Sequence, residues 1–266
     1  MGRFTGILLA SDVDGTLFGH TGRVLPIDRE AISYFISEGG TFTLATGRTQ
    51  LALKVLLPQL EMNAPALLGN GALAYDYRSE KTVFEQNLSN DCLDIAKIVA
   101  EEFPEVATEI HGAEELRVFR PNEGTRAHFE YIGETGIELS SLEDAPLPWL
   151  KIVFVEQPAY LARLKAFLAK RFGDEYSMVS AYPLFLEFLH KDANKGAGLE
   201  RLSKMLGSPK VYCIGDADND MPMITRFESF APANAEPEVK AAATHKVCDC
   251  DSGAVAQAIE WLGRHA

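Results

Sequence analysis

The sequence predicts an α/β fold in which a parallel sheet is interrupted by a second, inserted α/β unit. Three observations lead to this prediction. Short apolar runs alternate with helical patterns at both ends of the chain, as in βαβ units with right-handed crossovers. Several of these runs end abruptly in polar residues, where open α/β sheets bind their ligands. The middle of the chain is more acidic, since residues 79–185 carry a net charge of −9 out of −13 for all 266 residues.

The first strand is predicted at Ile7–Ala10, an unbroken apolar run typical of a strand buried on both faces. It is followed closely by Asp12, Asp14, Gly15 and Thr16. Two neighbouring carboxylates repel each other and cost free energy to desolvate, and a hard cation such as Mg²⁺ between them relieves both penalties. The alternative is an ordinary surface turn, because Asp, Gly and Thr are common turn residues.

The next elements complete a βαβαβ pattern. We predict a helix that starts at Pro26 and is ended by Gly39-Gly40, a strand at 41–45, a helix at 49–60 and a short strand at 66–69. Thr46, Gly47 and Arg48 follow the second of these strands. A hydroxyl and exposed backbone N–H groups near a helix start can hold an anion there. For Thr46 alone, the alternative is a helix N-cap.

Residues 79–185 are predicted to form an inserted α/β cap. Helical patterns occupy 91–103, 122–132 and 159–172, and strand-like runs occupy 106–110, 116–119, 150–155 and 176–180. We therefore expect residues 1–78 and 186–266 to form one catalytic core. The cap is expected to close over the site, exclude water and select the substrate. Candidate substrate contacts are Glu187, Arg117 and Arg120.

The core pattern resumes near Leu186, with a helix predicted at 199–206, a buried strand at 211–214, short strands at 229–231 and 245–247, and a closing helix at 254–262. Lys195 precedes the first of these elements, and Asp216, Asn219 and Asp220 follow the buried strand. A lysine before a glycine is usually a solvated charge. Several carboxylates and an amide after a buried strand are harder to explain by structure alone, and together with the earlier motifs they predict metal and phosphate binding.

Two shorter motifs fail when their context is considered. Residues 69–74 fit the dinucleotide fingerprint G-x-G-x-x-G/A, but they run into a predicted strand instead of opening a helix. Residues 216–220 resemble the start of a calcium loop, but Met221 stands where that loop needs glycine and Phe227 where it needs glutamate. Neither ligand is therefore expected.

Composition argues against several functional classes. The chain has no run of 18 apolar residues and no signal-peptide pattern at its start. Its net negative charge disfavours nucleic acid or an anionic membrane as a partner. The four cysteines lack a zinc-binding spacing. We expect a reduced cytoplasmic protein, a monomer or weak homo-oligomer, that acts on a small molecule.

Taken together, the polar motifs resemble those of the haloacid dehalogenase (HAD) superfamily, and more narrowly of its Cof-like phosphatases of subclass IIB. The resemblance rests on five segments in the family's order: DVDGTL at 12–17, ATGR at 45–48, GNGA at 69–72, NKG at 194–196 and GDADNDMPM at 215–223. The implied fold is a Rossmann-like parallel-sheet core with an inserted α/β cap. The implied activity is Mg²⁺-dependent hydrolysis of a small phosphomonoester, such as a sugar phosphate, through an aspartyl-phosphate.

The resemblance also implies a role for each motif residue. Asp12 is expected to attack phosphorus, and Asp14 to act as the acid and base, with Thr16 helping to orient the turn. Mg²⁺ is expected on the Asp12 carboxylate, the Asp14 main-chain carbonyl and Asp216. The residues expected to bind the phosphoryl oxygens are Thr46, Gly47, Lys195 and Asn219. The supporting residues are Arg48 and Asp220, the latter holding metal-bound waters or positioning Lys195.

Two other functions share parts of this pattern. A phosphosugar mutase of the phosphomannomutase type would use the same pair, Asp12 and Asp14, but would return the phosphoryl group to the sugar. A receiver-like phospho-acceptor also combines acidic residues, a threonine and a lysine on a parallel sheet. It lacks the second aspartate of D-x-D-G-T and carries no cap of about 100 residues, so hydrolysis is the favoured function.

Overall fold

The computed structural model describes residues 2–20, 22–54, 56–113, 115–133 and 135–265, apart from the side chains at 131, 174, 181 and 182. Its strands are β1 (Ile7–Ser11), β2 (Thr41–Leu44), β3 (Ala66–Leu68), β4 (Leu73–Asp76), β5 (Lys81–Glu85), β6 (Ala107–His111), β7 (Leu116–Phe119), β8 (Ile137–Leu139), β9 (Lys151–Val155), β10 (Tyr176–Tyr182), β11 (Phe185–His190), β12 (Lys210–Ile214), β13 (Glu228–Ala231) and β14 (His245–Lys246). Its helices are α1 (Pro26–Ser37), α2 (Gln50–Lys54), α3 (Cys92–Glu102), α4 (Glu123–Ile132), α5 (Pro158–Phe172), α6 (Lys195–Leu206), α7 (Met221–Ile224), α8 (Pro237–Ala242) and α9 (Ala254–His265).

The chain divides into two compact units. The first comprises Met1–Arg48, Leu53–Phe84 and Asn194–Ala266, and the second comprises Thr49–Ala52 and Glu85–Ala193. The first unit is therefore built from segments that are far apart in sequence. The second is almost entirely one continuous segment.

The first unit contains a five-stranded parallel sheet in the order β14-β13-β12-β1-β2. Strand β1 is fully buried and lies between β12 and β2, which explains why its sequence is an apolar run without alternation. A smaller sheet follows in the order β3-β4-β5, with β3 and β4 antiparallel. The predicted α/β fold with a parallel sheet is confirmed.

The second unit contains a six-stranded sheet in the order β10-β11-β9-β6-β7-β8. Its neighbouring strands are antiparallel except for β7 and β8, which are parallel. A large apolar cluster, which includes Ile95 of α3, Leu164 of α5 and Phe154 of β9, packs on one face of the sheet. The other face carries a small apolar cluster around Val153 and Val155 of β9.

The compact units differ from the predicted boundaries at both junctions. Apart from the short segment Thr49–Ala52, the chain passes between the units at 84/85 and 193/194, whereas the sequence placed the insertion at 79–185. Strand β5 was not predicted, and it pairs within the first unit. Strand β11 was taken as the return to the core, but it pairs with β9 and β10 of the second unit. Its run FLEFLH is apolar enough to resemble a core strand of either unit.

The predicted helix at 49–60 is shorter in the structure. Helix α2 ends at Lys54, and Leu57–Gln59 forms a separate 3₁₀ turn; residue 55 lies outside the described residues. Pro58 lacks a backbone N–H and disfavours the helical conformation of the residue before it. A continuous helix through this position is therefore unfavourable despite its leucine stripe.

Asp28 is a buried carboxylate in α1 that forms a hydrogen bond with the first turn of α9. Its Oδ1 accepts a hydrogen bond from the backbone N–H of Ala256 at 2.7 Å, and its Oδ2 has no partner among the described residues. Burial raises the pKa of Asp28 to about 6, although the N–H groups of Ala256 and Val255 oppose the rise. The unfolded chain therefore releases the Asp28 proton at a lower pH than the folded protein does. The contribution of Asp28 to stability is full below about pH 4 and is lost as the pH rises to about 6.

We expect Asp28→Asn to stabilise the protein at pH 7 by at most about 3 kcal/mol, since the shift spans about two pKa units of roughly 1.4 kcal/mol each. Asparagine keeps the acceptor for the Ala256 N–H and carries no buried charge. Urea unfolding at pH 4 and pH 7 measures the effect, which should be present only at the higher pH. Asp28→Ala is the control, because it removes the acceptor as well. Equal stability of the parent and Asp28→Asn at pH 7 contradicts this account.

Candidate active site

The predicted site residues lie at one edge of the parallel sheet. Asp12 directly follows β1, and Thr46 and Asp216 each lie two residues beyond the ends of β2 and β12. Because β1 lies between these two parallel strands, the three carboxyl ends are neighbours. Lys195 is the first residue of α6, whose N-cap Asn194 accepts a hydrogen bond from the Ala197 N–H at 2.8 Å. The topology thus brings together residues that are about 200 positions apart in the sequence.

Lys195 is completely buried between two carboxylates. Its Nζ donates hydrogen bonds to Asp12 Oδ1 and Asp220 Oδ1, both at 2.6 Å. The other oxygen of Asp220 accepts the backbone N–H groups of Asp216 and Ala217 at 3.0 and 3.1 Å. Both Asp220 oxygens are therefore engaged, one of them in holding Lys195. The interpretation of Lys195 as a solvated surface charge is wrong.

The electrostatics of this cluster favour an additional positive charge. Burial raises the pKa of Asp12 well above its usual value, the Asp220 carboxylate raises it further, and Lys195 opposes the rise. Burial and the Asp220 carboxylate raise the pKa of Asp216 to about 6. Burial lowers the pKa of Lys195, but Asp12 and Asp220 outweigh burial and raise it overall. Three carboxylates thus share one ammonium, which leaves an excess of negative charge.

The turn after β1 contacts the loop after β12. Thr16 Oγ1 donates a hydrogen bond to Asp216 Oδ1 at 2.7 Å, and Thr16 is fully buried. Gly15 has a φ of +79°, and a Cβ at this position would collide with the Asp216 carboxylate. Glycine is required here for both its backbone conformation and its lack of a side chain. The D-x-D-G-T turn therefore packs directly against the Asp216 side chain, which Gly15 and Thr16 both contact.

Asp14 is held by Arg48. Arg48 Nε donates to Asp14 Oδ2 at 2.9 Å, and Arg48 Nη2 donates to Asp14 Oδ1 at 2.6 Å. The Asp14 side chain is 47% exposed, whereas that of Arg48 is 16% exposed. A two-pronged guanidinium contact of this kind fixes the orientation of a carboxylate as well as its charge. Arg48, predicted only as a supporting residue, is thus a direct partner of Asp14.

Three of the predicted phosphate-binding residues, Thr46, Gly47 and Asn219, contact Asn70. Asn219 Nδ2 donates to Asn70 Oδ1 at 3.1 Å, and the Asn70 N–H donates to the Thr46 carbonyl at 2.9 Å. A Cβ on Gly47 would lie 3.3 Å from the Asn70 amide, so Gly47 packs closely against it. Thr46 Oγ1 accepts the Arg48 N–H at 3.1 Å, which leaves its hydroxyl proton to be donated to another acceptor.

Asn70 is a site residue to which the sequence analysis gave no role. It is buried and has a φ of +56° in the short turn Gly69–Gly71. The segment counted toward the family resemblance, but the only ligand considered for it was a dinucleotide, which was rejected because a strand follows. The strand is confirmed as β4. The signal for Asn70 was its place in the GNGA segment, directly after a buried strand.

The residues of this site fit a divalent cation. Asp12, Asp216 and Asp220 each offer a carboxylate oxygen, and these oxygens lie within 4.8 Å of one another. An all-oxygen donor set with excess negative charge matches Mg²⁺ better than soft metals. Since both oxygens of Asp220 are already engaged, Asp12 and Asp216 are the better side-chain ligands.

The three candidate substrate contacts have different surroundings. Arg120 Nη1 donates to the carbonyl oxygens of Ala100 and Pro104 at 2.7 and 3.4 Å, which ties it to the end of α3. Arg117 pairs with Glu115. Glu187 is nearly buried and accepts a hydrogen bond from Lys151 Nζ at 2.8 Å. The contacts of Arg120 thus have a structural role, since they hold its side chain against the end of α3.

Comparison with known proteins relates the chain to one family along most of its length. The family model for haloacid dehalogenase-like hydrolases matches residues 9–259. A Bacillus subtilis (strain 168) protein named as a phosphatase, YxeH, is 30% identical, with 96% of this chain and 97% of the relative covered. An HMP-PP phosphatase of Serratia proteamaculans (strain 568) is 29% identical over 96% of this chain and 95% of its own length.

Solved structures share the fold. A haloacid dehalogenase-like hydrolase from Bacteroides thetaiotaomicron superposes with a TM-score of 0.85 at 24% identity, covering 97% of this chain and 99% of that one. A HAD subclass IIB sugar phosphatase superposes with a TM-score of 0.82 at 20% identity, covering 96% and 98%. Among the helices of the described ranges, none is both long and apolar enough to cross a membrane.

Proposed function

Because the chain belongs to the haloacid dehalogenase-like hydrolase family and is a phosphatase, we propose that it hydrolyses small phosphomonoesters through a phosphorylated Asp12, with Mg²⁺ as its cofactor. The observation that carries this proposal is the buried contact of Lys195 with both Asp12 and Asp220, beside Asp216. A sugar phosphate or a similar metabolite is the substrate we favour. We also propose that the enzyme acts in the cytoplasm as a monomer or weak homo-oligomer.

Asp12 is the proposed nucleophile. Lys195 donates a hydrogen bond to its Oδ1, and we assign the attack on phosphorus to one oxygen of this carboxylate and the contact with Mg²⁺ to the other. The new bond joins the attacking oxygen to phosphorus while the bond from phosphorus to the alcohol oxygen breaks. A carboxylate is a suitable covalent nucleophile because the acyl phosphate that it forms is reactive toward water. The buried ammonium also offsets the repulsion between the carboxylate and the incoming phosphoryl group.

Asp14 is the proposed acid and base. It gives a proton to the departing alkoxide and later takes one from the water that attacks the phosphorylated Asp12. Attack of this water breaks the bond between the Asp12 oxygen and phosphorus, so the release of phosphate leaves Asp12 as a carboxylate and Asp14 again as the protonated acid. In the structure Asp14 is paired with Arg48, so this ion pair must loosen before Asp14 donates a proton.

The phosphoryl oxygens are proposed to be bound by Thr46, Gly47, Lys195 and Asn219. Thr46 contributes its hydroxyl proton, because the oxygen already accepts the Arg48 N–H. Asn70 orients the Asn219 amide. These donors are held by backbone and buried side-chain contacts, which is the preorganisation that phosphoryl transfer requires.

Asp12, Asp216 and the main-chain carbonyl of Asp14 are the groups proposed to hold Mg²⁺. When bound, the ion supplies positive charge that neutralises the phosphoryl oxygens and the carboxylates around them. Thr16 orients Asp216 for this purpose through its 2.7 Å hydrogen bond. Asp220 is assigned to hold Lys195, since its two oxygens are already engaged.

The proposal is tested by measuring phosphate release from a panel of sugar phosphates, nucleotides and pyridoxal phosphate with MgCl₂. We expect inorganic phosphate to appear without a bisphosphate activator. Transfer of the phosphoryl group between positions of a sugar, with such an activator required, would identify a mutase. Phosphorylation without turnover would identify a phospho-acceptor.

Removal of the divalent ion is expected to abolish turnover and to lower the melting temperature. The carboxylates of Asp12 and Asp216 repel each other without it, and ligand binding at 100-fold its Kd stabilises a protein by about 2.7 kcal/mol. Thermal melting with EDTA and with increasing MgCl₂ measures this directly. Asp216→Asn is the control and should respond less to MgCl₂. A melting temperature that is independent of MgCl₂ in the parent contradicts the site.

A further inference from the structure

Asn234 connects the catalytic turn to the segment that precedes α9. Its Nδ2 donates a hydrogen bond to the carbonyl oxygen of Gly15 at 2.7 Å, and its Oδ1 accepts the Cys250 N–H at 3.0 Å. Both partners are backbone groups of fixed polarity, so they determine which end of the amide faces Gly15. The side chain therefore bridges the D-x-D-G-T turn and the loop before α9.

The turn that Asn234 contacts is mainly closed on itself. The Gly15 N–H donates to the Phe18 carbonyl at 2.9 Å, and the N–H groups of Leu17 and Phe18 donate to the Val13 carbonyl at 3.0 and 2.7 Å. The Gly15 carbonyl is not used in these bonds and receives the Asn234 amide instead. Asn234 is thus an external fixing point of the turn at the residue next to Asp14.

The hydrogen bond from Asn234 matters because Gly15 has a flexible backbone. Gly15 has a φ of +79°, and a glycine crosses between backbone conformations more easily than other residues. A rotation about the Gly15 backbone bonds would change the orientation of the rest of the turn relative to Asp14. A hydrogen bond to the Gly15 carbonyl opposes this rotation. Thr16 holds the next residue through Asp216, so the two contacts restrain both sides of the same peptide.

We propose that Asn234 is a positioning residue that holds the Asp14 turn in the orientation needed for proton transfer to the leaving group. This inference rests on the proposed function, in which Asp14 is the acid. Asn234 does not touch the reacting atoms itself. It acts on them through the Gly15 carbonyl, and its loss leaves the nucleophile Asp12 and its partner Lys195 in place.

The test compares leaving groups. Departure of p-nitrophenolate needs little protonation, whereas departure of an alkoxide from glycerol phosphate depends on the acid. We expect Asn234→Ala to lower kcat/KM for glycerol phosphate about tenfold, a part of the roughly 10²–10⁴-fold that a positioned acid supplies. The ratio of kcat/KM for p-nitrophenyl phosphate to kcat/KM for glycerol phosphate should rise accordingly, because kcat/KM excludes the later hydrolysis of the phosphorylated Asp12 that both substrates share. A general loss of structure would lower both and leave this ratio unchanged.

Asn63 provides a matched control within the same unit. Its Nδ2 donates to the Gly40 carbonyl at 3.0 Å and its Oδ1 accepts the Phe42 N–H at 2.8 Å, so it bridges backbone groups as Asn234 does. Asn63→Ala removes the same kind of contact from a position outside the site. It is expected to lower the melting temperature without changing the leaving-group ratio.

The possible results distinguish the positioning role of Asn234 from the phosphatase function on which it rests. An unchanged ratio in folded Asn234→Ala, or the same change in Asn63→Ala, overturns the positioning role while the phosphatase function stands. If Asn234→Ala fails to fold, Asn234→Ser, which keeps a shorter hydrogen-bonding side chain, is measured in the same way. A parent enzyme that hydrolyses neither ester contradicts the proposed function itself.

Discussion

Asp12→Asn is expected to lower phosphate release by at least about 10⁴-fold, because an amide oxygen cannot form the covalent intermediate. The substitution keeps the size of the side chain and an oxygen that can accept the Lys195 hydrogen bond. Burial and the Asp220 carboxylate raise the pKa of Asp12, which means that the surroundings disfavour its charged form, so the neutral variant is not expected to lose stability. Initial rates with a phosphomonoester and MgCl₂ measure the effect, and circular dichroism confirms the fold.

A second measurement locates the phosphoryl group. Acid quenching of a slow-turnover variant such as Asp14→Asn should leave phosphate on the peptide that contains residue 12. The double variant that also carries Asp12→Asn should show none. Turnover by Asp12→Asn at the parent rate, or phosphate on another residue, would falsify the assignment of the nucleophile.

Lys195→Met is expected to remove activity and also to destabilise the protein by about 3–5 kcal/mol, which is typical when one partner of a buried ion pair is removed. Lys195 is fully buried and holds both Asp12 and Asp220. Its loss leaves three carboxylates without their shared ammonium. From sequence alone we would expect a lysine substitution here to leave the fold intact, and its complete burial changes that expectation.

Lys204 is the matched control, since it lies on the same helix and also pairs with a carboxylate. Its side chain is 72% exposed, and its Nζ lies 2.6 Å from Glu200. Exposed pairs of this kind contribute little, so Lys204→Met should change the free energy of unfolding by less than about 0.5 kcal/mol. Denaturant unfolding of both variants tests the contrast. Equal stability of the two variants would show that Lys195 is not held as the structure indicates.

The sequence was most informative where a polar residue directly follows an apolar run, because the run and the residue then indicate the same structure. The apolar run before Asp12 predicted both a buried strand and a polar group at its carboxyl end, and β1 has both features. Thr46 and Asp216 were predicted by the same argument. Parallel strands bring their carboxyl ends together whatever the length of chain between them. The residues of the site could therefore be predicted from the sequence, although their contacts could not.

The contacts that depend on tertiary packing were not accessible in this way. Neither the pairing of Arg48 with Asp14 nor the bridge from Asn70 to Asn219 follows from local sequence. Strand β11 was assigned to the wrong unit because its apolar pattern does not state which sheet it joins. The depth at which Lys195 is buried is likewise a property of the assembled unit.

The position of β1 has a consequence for how the protein is made. β1 leaves the ribosome well before one of its two neighbours, β12, which ends at Ile214. At about 5–20 residues per second, roughly 10–40 s of synthesis separate the two strands. During that time one edge of a strand whose first four residues are apolar has no partner, and such edges attract other chains. The nascent chain should therefore be most prone to aggregation, and most dependent on chaperones, in this interval.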